Sequence, residues 1–387
     1  MIIHTVKAGE TIFKIAREHS TSPMKIIENN DLENPDRLSV GQELLILNPT
    51  RTYTVRGADT LEKIKDRFKV EKEKLLAYNP YLSGGDKIYP GQLLSIKYDT
   101  PKLRLALANG YVFAGCSEDR LSLCMPYLNY VTISSAKRKE GGITKLFEDK
   151  WAVRMAKDAG KIPLCRIYDG IDENFNNSYI DSIISYVKEG VYGGVTIASH
   201  KATKRADRDF CDFLISLKKR LMENDLLLFA ELDGNEEITL PDICDGYTLA
   251  YEKCNLGDIP TFDSGEKSML TSYAEGCEAQ KTYVELPSFG YAGDEEVRIK
   301  DAERLAYSSA KEISYDKYKK INTFEYNKYK GSKKEIVRVA YESLHNIKAK
   351  LDSLGELGFM GVFFDVMNVP VSYLMMYETM FRHYPSI

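Results

Sequence analysis

No apolar run in the 387-residue chain approaches the roughly 18 residues that a membrane-spanning helix needs, so no membrane span is expected. A basic stripe is also missing. Lys and Arg number 53 against 57 Asp and Glu, the formal net charge is -4, and the cations are spread along the chain, which excludes a nucleic-acid footprint. The seven cysteines, Cys116, Cys124, Cys165, Cys211, Cys244, Cys254 and Cys277, are an odd number without a Cys-x-x-Cys pair. Free, mostly buried thiols are expected, and neither a metal nor a cofactor. The opening Met1-Ile2-Ile3-His4 leads directly into patterned sequence without a basic, apolar and cleavable leader. It predicts synthesis in the cytoplasm without a signal peptide. Tryptophan occurs once, at Trp151, in a stretch that predicts a helix and a packing role. What is present is the composition of a folded protein, 43% hydrophobic and 28% charged, with room for two or three domains.

The first hundred residues repeat. Thr5-Val6 recurs as Thr54-Val55, Thr11-Ile12 as Thr60-Leu61, Ile26-Ile27 as Leu75-Leu76 and Asn30 as Asn79, all 49 residues apart. Gly41-Gln42 returns as Gly91-Gln92 at a spacing of 50, so the second copy gained one residue in a loop. Each copy reads as βααβ: a β-branched strand (4–7, then 53–56), a turn, a helix capped by Thr11 or Thr60, a second helix and a closing strand (44–47, then 93–96).

The repeat resembles the lysin motif (LysM), most fully in copy one, in the Thr-Val-x-x-Gly-Glu-Thr-Ile opening, the central Asn and the Val40-Gly41-Gln42-x-Leu44 ending. The resemblance implies domains at 1–48 and 52–98 that bind N-acetylglucosamine chains in a groove between the loop after the first strand and the loop after the second helix. Carried over by position, the groove involves Gly9, Glu10, Thr11, Ile12, Asn30 and Leu32 in copy one, and Asp59, Thr60, Leu61, Asn79, Pro80 and Tyr81 in copy two. Copy two departs from the pattern, with Gly57-Ala58 where copy one has Ala8-Gly9. Two weak sites on a short linker raise avidity for a polymer.

From residue 101 to 387, β-rich apolar runs alternate with amphipathic stretches: 103–114, 130–134, 162–168, 194–198, 226–232, 246–251, 282–286 and 361–365. Eight strands with intervening helices predict an α/β fold, a (β/α)₈ TIM barrel whose chemistry sits at the strand C-termini. The tyrosine-rich stretch at about 294–334 predicts a small α+β insertion.

The barrel resembles family 18 glycoside hydrolases of the spore-cortex-lytic type, in Asn109-Gly110-Tyr111, Leu249-Ala250-Tyr251-Glu252, Leu286-Pro287-Ser288-Phe289-Gly290-Tyr291 and Gly358-Phe359-Met360-Gly361-Val362. The family carries Asp-x-x-Asp-x-Asp-x-Glu on its fourth strand. Here that strand reads Gly193-Gly194-Val195-Thr196-Ile197-Ala198-Ser199-His200. The resemblance therefore places His200 at the general acid and Ala198 at the acetamide-stabilising Asp, with Gly193 and Thr196 also departing. Substrate-assisted hydrolysis needs both carboxylates. The family's sugar-stacking Trp is missing as well, since Asp365 follows Phe363-Phe364. Tyr111, Asp169, Glu231, Asp233, Tyr251, Glu252 and Asp365 remain as cleft candidates. The reading is a binder of peptidoglycan, spore cortex or another N-acetylglucosamine polymer with an inactive glycosidase-like barrel, deposited on the spore or cell wall, with spore coat or cortex proteins as further partners. The alternative is an active N-acetylglucosaminidase in which His200 serves as a rearranged acid.

Overall fold

The computed structural model describes residues 1–82, 87–99, 105–139, 142–169, 175–199, 208–233, 242–250, 271, 274, 279–316 and 321–383. Copy one pairs strands Ile2–Thr5 and Glu43–Ile46 antiparallel across helices Ile12–Glu18 and Pro23–Asn30. Copy two repeats the plan with Arg51–Thr54, Leu61–Phe68, Lys72–Ala77 and Leu93–Lys97. Both opening strands begin two residues earlier than the β-branched pattern suggested, because Ile2 and Arg51 already find partners on the closing strands. Thr11 and Thr60 cap their helices, accepting from Lys14 N at 3.3 Å and Lys63 N at 3.2 Å. Each copy closes over its own small core, Ile12, Ile15, Ile26 and Leu44 in one and Leu61, Ile64, Leu75 and Leu94 in the other.

The barrel strands are Leu105–Val112, Tyr130–Lys139, Ile162–Asp169, Gly194–Ser199, Leu227–Asp233, Gly246–Ala250, Thr282–Glu285 and Gly361–Asp365, numbered one to eight below. Neighbours pair in parallel, and strand eight closes on strand one. Alternation sorts their side chains. Val131, Ile133, Cys165, Ile167, Val195, Ile197, Leu228, Ala230, Val284 and Val362 join the core under the helices, while Leu107, Tyr111, Tyr130, Leu164, Phe229, Tyr283 and Phe363 fill the lumen. Among the described cysteines, Cys124, Cys165 and Cys244 are buried and free. Trp151 packs half-buried against the main core.

Between strands seven and eight lies a five-stranded antiparallel sheet with a helix, Ile299–Ser308. It runs from Phe289 to Glu342, wider than the tyrosine-rich stretch on which the sequence focuses.

The repeats are not beads on a string. Leu45, Leu47, Ala77, Tyr78 and Tyr98 belong to the same buried cluster as the barrel. Copy one is clamped to the insertion: Ile313 N donates to Val40 O at 2.8 Å, Gln42 Nε2 to Glu303 Oε2 at 3.1 Å, and Lys300 pairs with Asp31. Glu43 accepts from Leu344 N at 2.5 Å and meets His345 Nδ1 at 2.7 Å. Copy two joins the barrel through Tyr127, whose hydroxyl donates to Ala77 O at 2.7 Å.

This seam is expected to respond to pH. Burial, and then the charge of Glu43, pushes the Glu303 carboxyl up to about 8 from an ordinary 4.5. The hydrogen bond to Glu43 raises the His345 imidazole above its ordinary 6.5. Each group keeps its proton in the folded chain over a range where the unfolded chain has released it, so both contributions are lost as pH rises. The window opens near 4.5 for Glu303 and closes near 8; for His345 it begins near 6.5. One such proton is worth at most about 1.4 kcal/mol per pH unit, and residual contact with water keeps both groups below that bound. Melts of the full chain are expected to show a falling midpoint between about pH 5 and about pH 8.5, with Glu303→Gln flattening the slope. A flat wild-type profile would refute this.

Candidate functional site

In the repeats, the structure separates residues that could touch a ligand from residues that hold the motif together. Asn30 and Asn79 belong to the second group. Asn30 Nδ2 donates to Ile26 O at 2.8 Å and Leu45 O at 2.9 Å, and its Oδ1 accepts from Leu45 N at 2.8 Å. Asn79 does the same with Leu75 O, Ser95 O and Ser95 N, each at 2.8 Å. A side-chain amide satisfied three times by backbone clamps a loop and has little left for a sugar. Ile12, Leu61 and Pro80 are buried, and Thr11 and Thr60 are spent on caps.

The two acids fix turns. Glu10 accepts from Lys7 N at 2.7 Å and meets His4 Nε2 at 3.0 Å. Burial pushes its carboxyl up, but these bonds outweigh burial and hold it below the ordinary value. Asp59 accepts from the Tyr53 hydroxyl at 2.7 Å and from Arg56 N at 2.8 Å, and the Tyr53 bond above all lowers its carboxyl.

The far loops are partly covered. Tyr81 donates its hydroxyl to Leu93 O at 3.0 Å, while Lys25 of copy one lies over its ring at 5.0 Å and reaches Asn79 Oδ1 at 3.3 Å. Leu32 lines a cavity of about 30 Å³ against Ile299, Glu303 and Tyr341 of the insertion. The exposed parts of the grooves are the turns at Gly9 and at Gly57-Ala58 and the capping residues Thr11 and Thr60. Phe13, 72% exposed one residue beyond Ile12, adds an apolar surface that the motif positions did not include.

In the barrel, Thr196 and Ala198 alternate with the core-facing Val195 and Ile197, and so point into the lumen. The Thr196 hydroxyl is buried without a hydrogen-bond partner among the described residues, and Gly193 precedes the strand. In register beside Ala198 stands Glu231 of strand five. Glu231 faces Arg166 of strand three, which donates Nε to Oε2 at 2.8 Å and Nη2 to Oε1 at 2.6 Å. The same guanidinium donates to Ser134 Oγ at 3.1 Å. A bidentate pair thus spans the lumen around the strand that would carry the acid.

Tyr111 joins its hydroxyl to Thr248 Oγ1 at 2.9 Å and packs in a tilted pair with Phe363, ring centroids 4.9 Å apart. Burial, and then the nearby Glu231, raises its phenol well above the ordinary value. Asp365 accepts from Met367 N at 2.9 Å and Asn368 Nδ2 at 2.5 Å, which ties it to its own turn; burial raises its carboxyl. Asp169 and Asp233 end strands three and five, and their side chains, like His200, Tyr251 and Glu252 as a whole, lie outside the described residues. Arg166, Ser134 and Glu285 were missed by sequence reading. Alternation along Thr282–Glu285, with Val284 in the core, marks Glu285 as lumen-facing.

The LysM domain family matches residues 4–47 and 53–97, so both copies are LysM domains. A putative sporulation-specific glycosylase, YdhD of Bacillus subtilis, is 28% identical over 259 residues, 62% of this chain and 60% of that protein. An endolysin of Bacillus phage B103 is 30% identical over 99 residues, 24% of this chain and 38% of the phage protein. The matched stretches thus span less than two thirds of either relative. The crystal structure of the spore cortex-lytic enzyme SleL of Bacillus megaterium QM B1551 covers 100% of this chain and 99% of its own, with a TM-score of 0.74 at 20% identity. A chitinase from Chromobacterium violaceum covers 71% of this chain and 98% of its own, with a TM-score of 0.59 at 15% identity. The whole chain therefore has the fold of a barrel of this kind preceded by two LysM domains.

Proposed function

We propose that the protein binds N-acetylglucosamine-containing glycan, peptidoglycan or spore cortex, through its two LysM domains, and that its barrel does not hydrolyse that glycan by the mechanism of the family it resembles. The doubled LysM domain carries the first half of this reading. The names of the relatives, a sporulation-specific glycosylase and a spore cortex-lytic enzyme, support a spore or wall setting. For the second half, the support is the lumen itself. Thr196 and Ala198 offer no carboxylate, and Glu231 has both oxygens engaged by Arg166.

The repeats share a core with the barrel, so binding is best tested on the full chain. The wild type is expected to sediment with chitin or purified peptidoglycan and to be displaced by soluble N-acetylglucosamine oligomers. Gly9→Arg and Ala58→Arg place bulk on the two exposed turns. Each alone is expected to weaken binding about tenfold, roughly 1.4 kcal/mol, and the pair more steeply because avidity is lost. Sedimentation unchanged in the double variant would move the glycan site off the repeats.

A further inference from the structure

The two repeats solve the same packing problem in different chemistry. An offset of 49 residues matches His4 with Tyr53, Glu10 with Asp59, Glu18 with Arg67 and His19 with Phe68. In copy two the gap between the first strand and the end of the first helix is closed by rings. Tyr53 and Phe68 pack with centroids 5.1 Å apart, the Tyr53 hydroxyl donates to Asp59, and Arg67 lies over the Tyr53 ring at 5.2 Å. In copy one the two rings sit at nearly the same separation, 5.0 Å, but both are imidazoles, and a carboxylate stands where the guanidinium was.

The polar atoms of copy one converge. Glu10, already fixed by Lys7 N, holds His4 Nε2 at 3.0 Å. That bond selects the Nε2–H tautomer and turns the Nδ1 lone pair toward His19 Nε2, 2.9 Å away. One ligand atom each from His4, Glu18 and His19 lies within 4.8 Å of the other two. His4 is only 6% exposed, His19 is half-buried with its carbonyl held by Asn48 Nδ2 at 3.0 Å, and Glu18 faces solvent. The arrangement has a rigid inner ligand, an outer carboxylate that orients it, and an open side for entry.

We infer that the first LysM domain binds one divalent transition-metal ion of the zinc class through His4 Nδ1, His19 Nε2 and the Glu18 carboxylate. Two imidazoles and a carboxylate suit such an ion, with water in the fourth position. Ligand bonds of about 2.0–2.1 Å at tetrahedral angles put two nitrogens about 3.3 Å apart, so the His pair opens by only a few tenths of an ångström. The ion takes the place of the proton shared between the rings, and His19 moves its hydrogen to Nδ1. Glu10 then stands behind His4 as the outer carboxylate found behind many metal-bound histidines. Bound metal would tie the strand Ile2–Thr5 to the end of the helix Ile12–Glu18. Through His4 and Glu10 it would also stiffen the turn at Gly9. The sequence hides this site because its ligands come from a strand and a helix end without a spaced motif.

The test uses the full-length protein with Co²⁺ as an optical probe and Zn²⁺ in thermal melts. The expected result is one equivalent of Co²⁺ per chain, with a visible ligand-field band but no thiolate charge-transfer band, and a melting midpoint raised by Zn²⁺. The triple variant His4→Tyr, Glu18→Arg, His19→Phe installs the packing of copy two, so it is expected to fold and to lose both responses. Glu10→Gln should weaken the metal by about tenfold to a hundredfold while leaving the ligands in place. Absence of a Co²⁺ band in the wild type, or an undiminished band in the folded triple variant, overturns the site. The second result would place the metal elsewhere, on the cysteines if a thiolate charge-transfer band came with it.

Discussion

Incubated with N-acetylglucosamine oligomers, or with cortex or wall glycan, the full-length protein is expected to release no reducing ends above background. Cleavage assisted by the substrate acetamide needs one carboxylic acid to protonate the leaving oxygen and a second carboxylate to stabilise the attacking group. A general acid alone is worth about 10² to 10⁴ in rate, and losing the neighbouring charge removes more. On strand four the lumen-facing positions are Thr196 and Ala198, so neither group is present there. Glu231 is adjacent, yet both of its oxygens are already engaged as acceptors of the Arg166 guanidinium. Asp365 is bound to its own turn through Met367 N and Asn368. Release of sugars that His200→Ala abolishes would make His200 the acid and end the proposal of an inactive barrel. Release that survives in that variant but fails in Glu231→Gln or Asp365→Asn would place the acid there instead.

Much of this architecture was legible in the sequence because it rests on short-range periodicity. The repeat offset, the Thr11 and Thr60 caps and the alternation of Val195 and Ile197 with Thr196 and Ala198 all follow from local pattern. Pairings between distant side chains were not legible. Nothing near Arg166 announces Glu231 of a strand two places away, and nothing near Ser39 announces Glu303 in the insertion. The central Asn30 and Asn79 mark the groove region by position, but their amides are turned inward onto Leu45 and Ser95. A spacing pattern records that a residue type recurs; whether its polar atoms face a ligand or the backbone depends on which loop closes over it.

The matched glycines of the two repeats should separate a local cost from the cost of releasing a domain. Gly41 and Gly91 occupy equivalent turns at φ +84° and +89°, and each donates its N–H to the residue just after the opening strand, Gly41 to Val6 O at 2.8 Å and Gly91 to Val55 O at 2.9 Å. Alanine at either position carries the strain of a left-handed backbone, about 1 kcal/mol. At Gly91 nothing lies within 4 Å of the added methyl group, so that strain is the whole effect. At Gly41 the methyl carbon would stand 1.8 Å from Ile313 O, a backbone atom held in place because Ile313 N donates to Val40 O at 2.8 Å. The clash has no flexible side chain to absorb it. It can be relieved only by moving copy one off the insertion, which breaks the contacts of Gln42 with Glu303 and of Glu43 with Leu344 and His345, and loosens the burial of Leu45 and Leu47. In denaturant titrations Gly91→Ala is therefore expected to lose about 1 kcal/mol, and Gly41→Ala more than about 4 kcal/mol. Limited proteolysis should cut the Gly41→Ala protein first within copy one or its linker at Asn48–Arg51, while the barrel persists. Equal losses in the two variants would mean that copy one is not seated on the insertion.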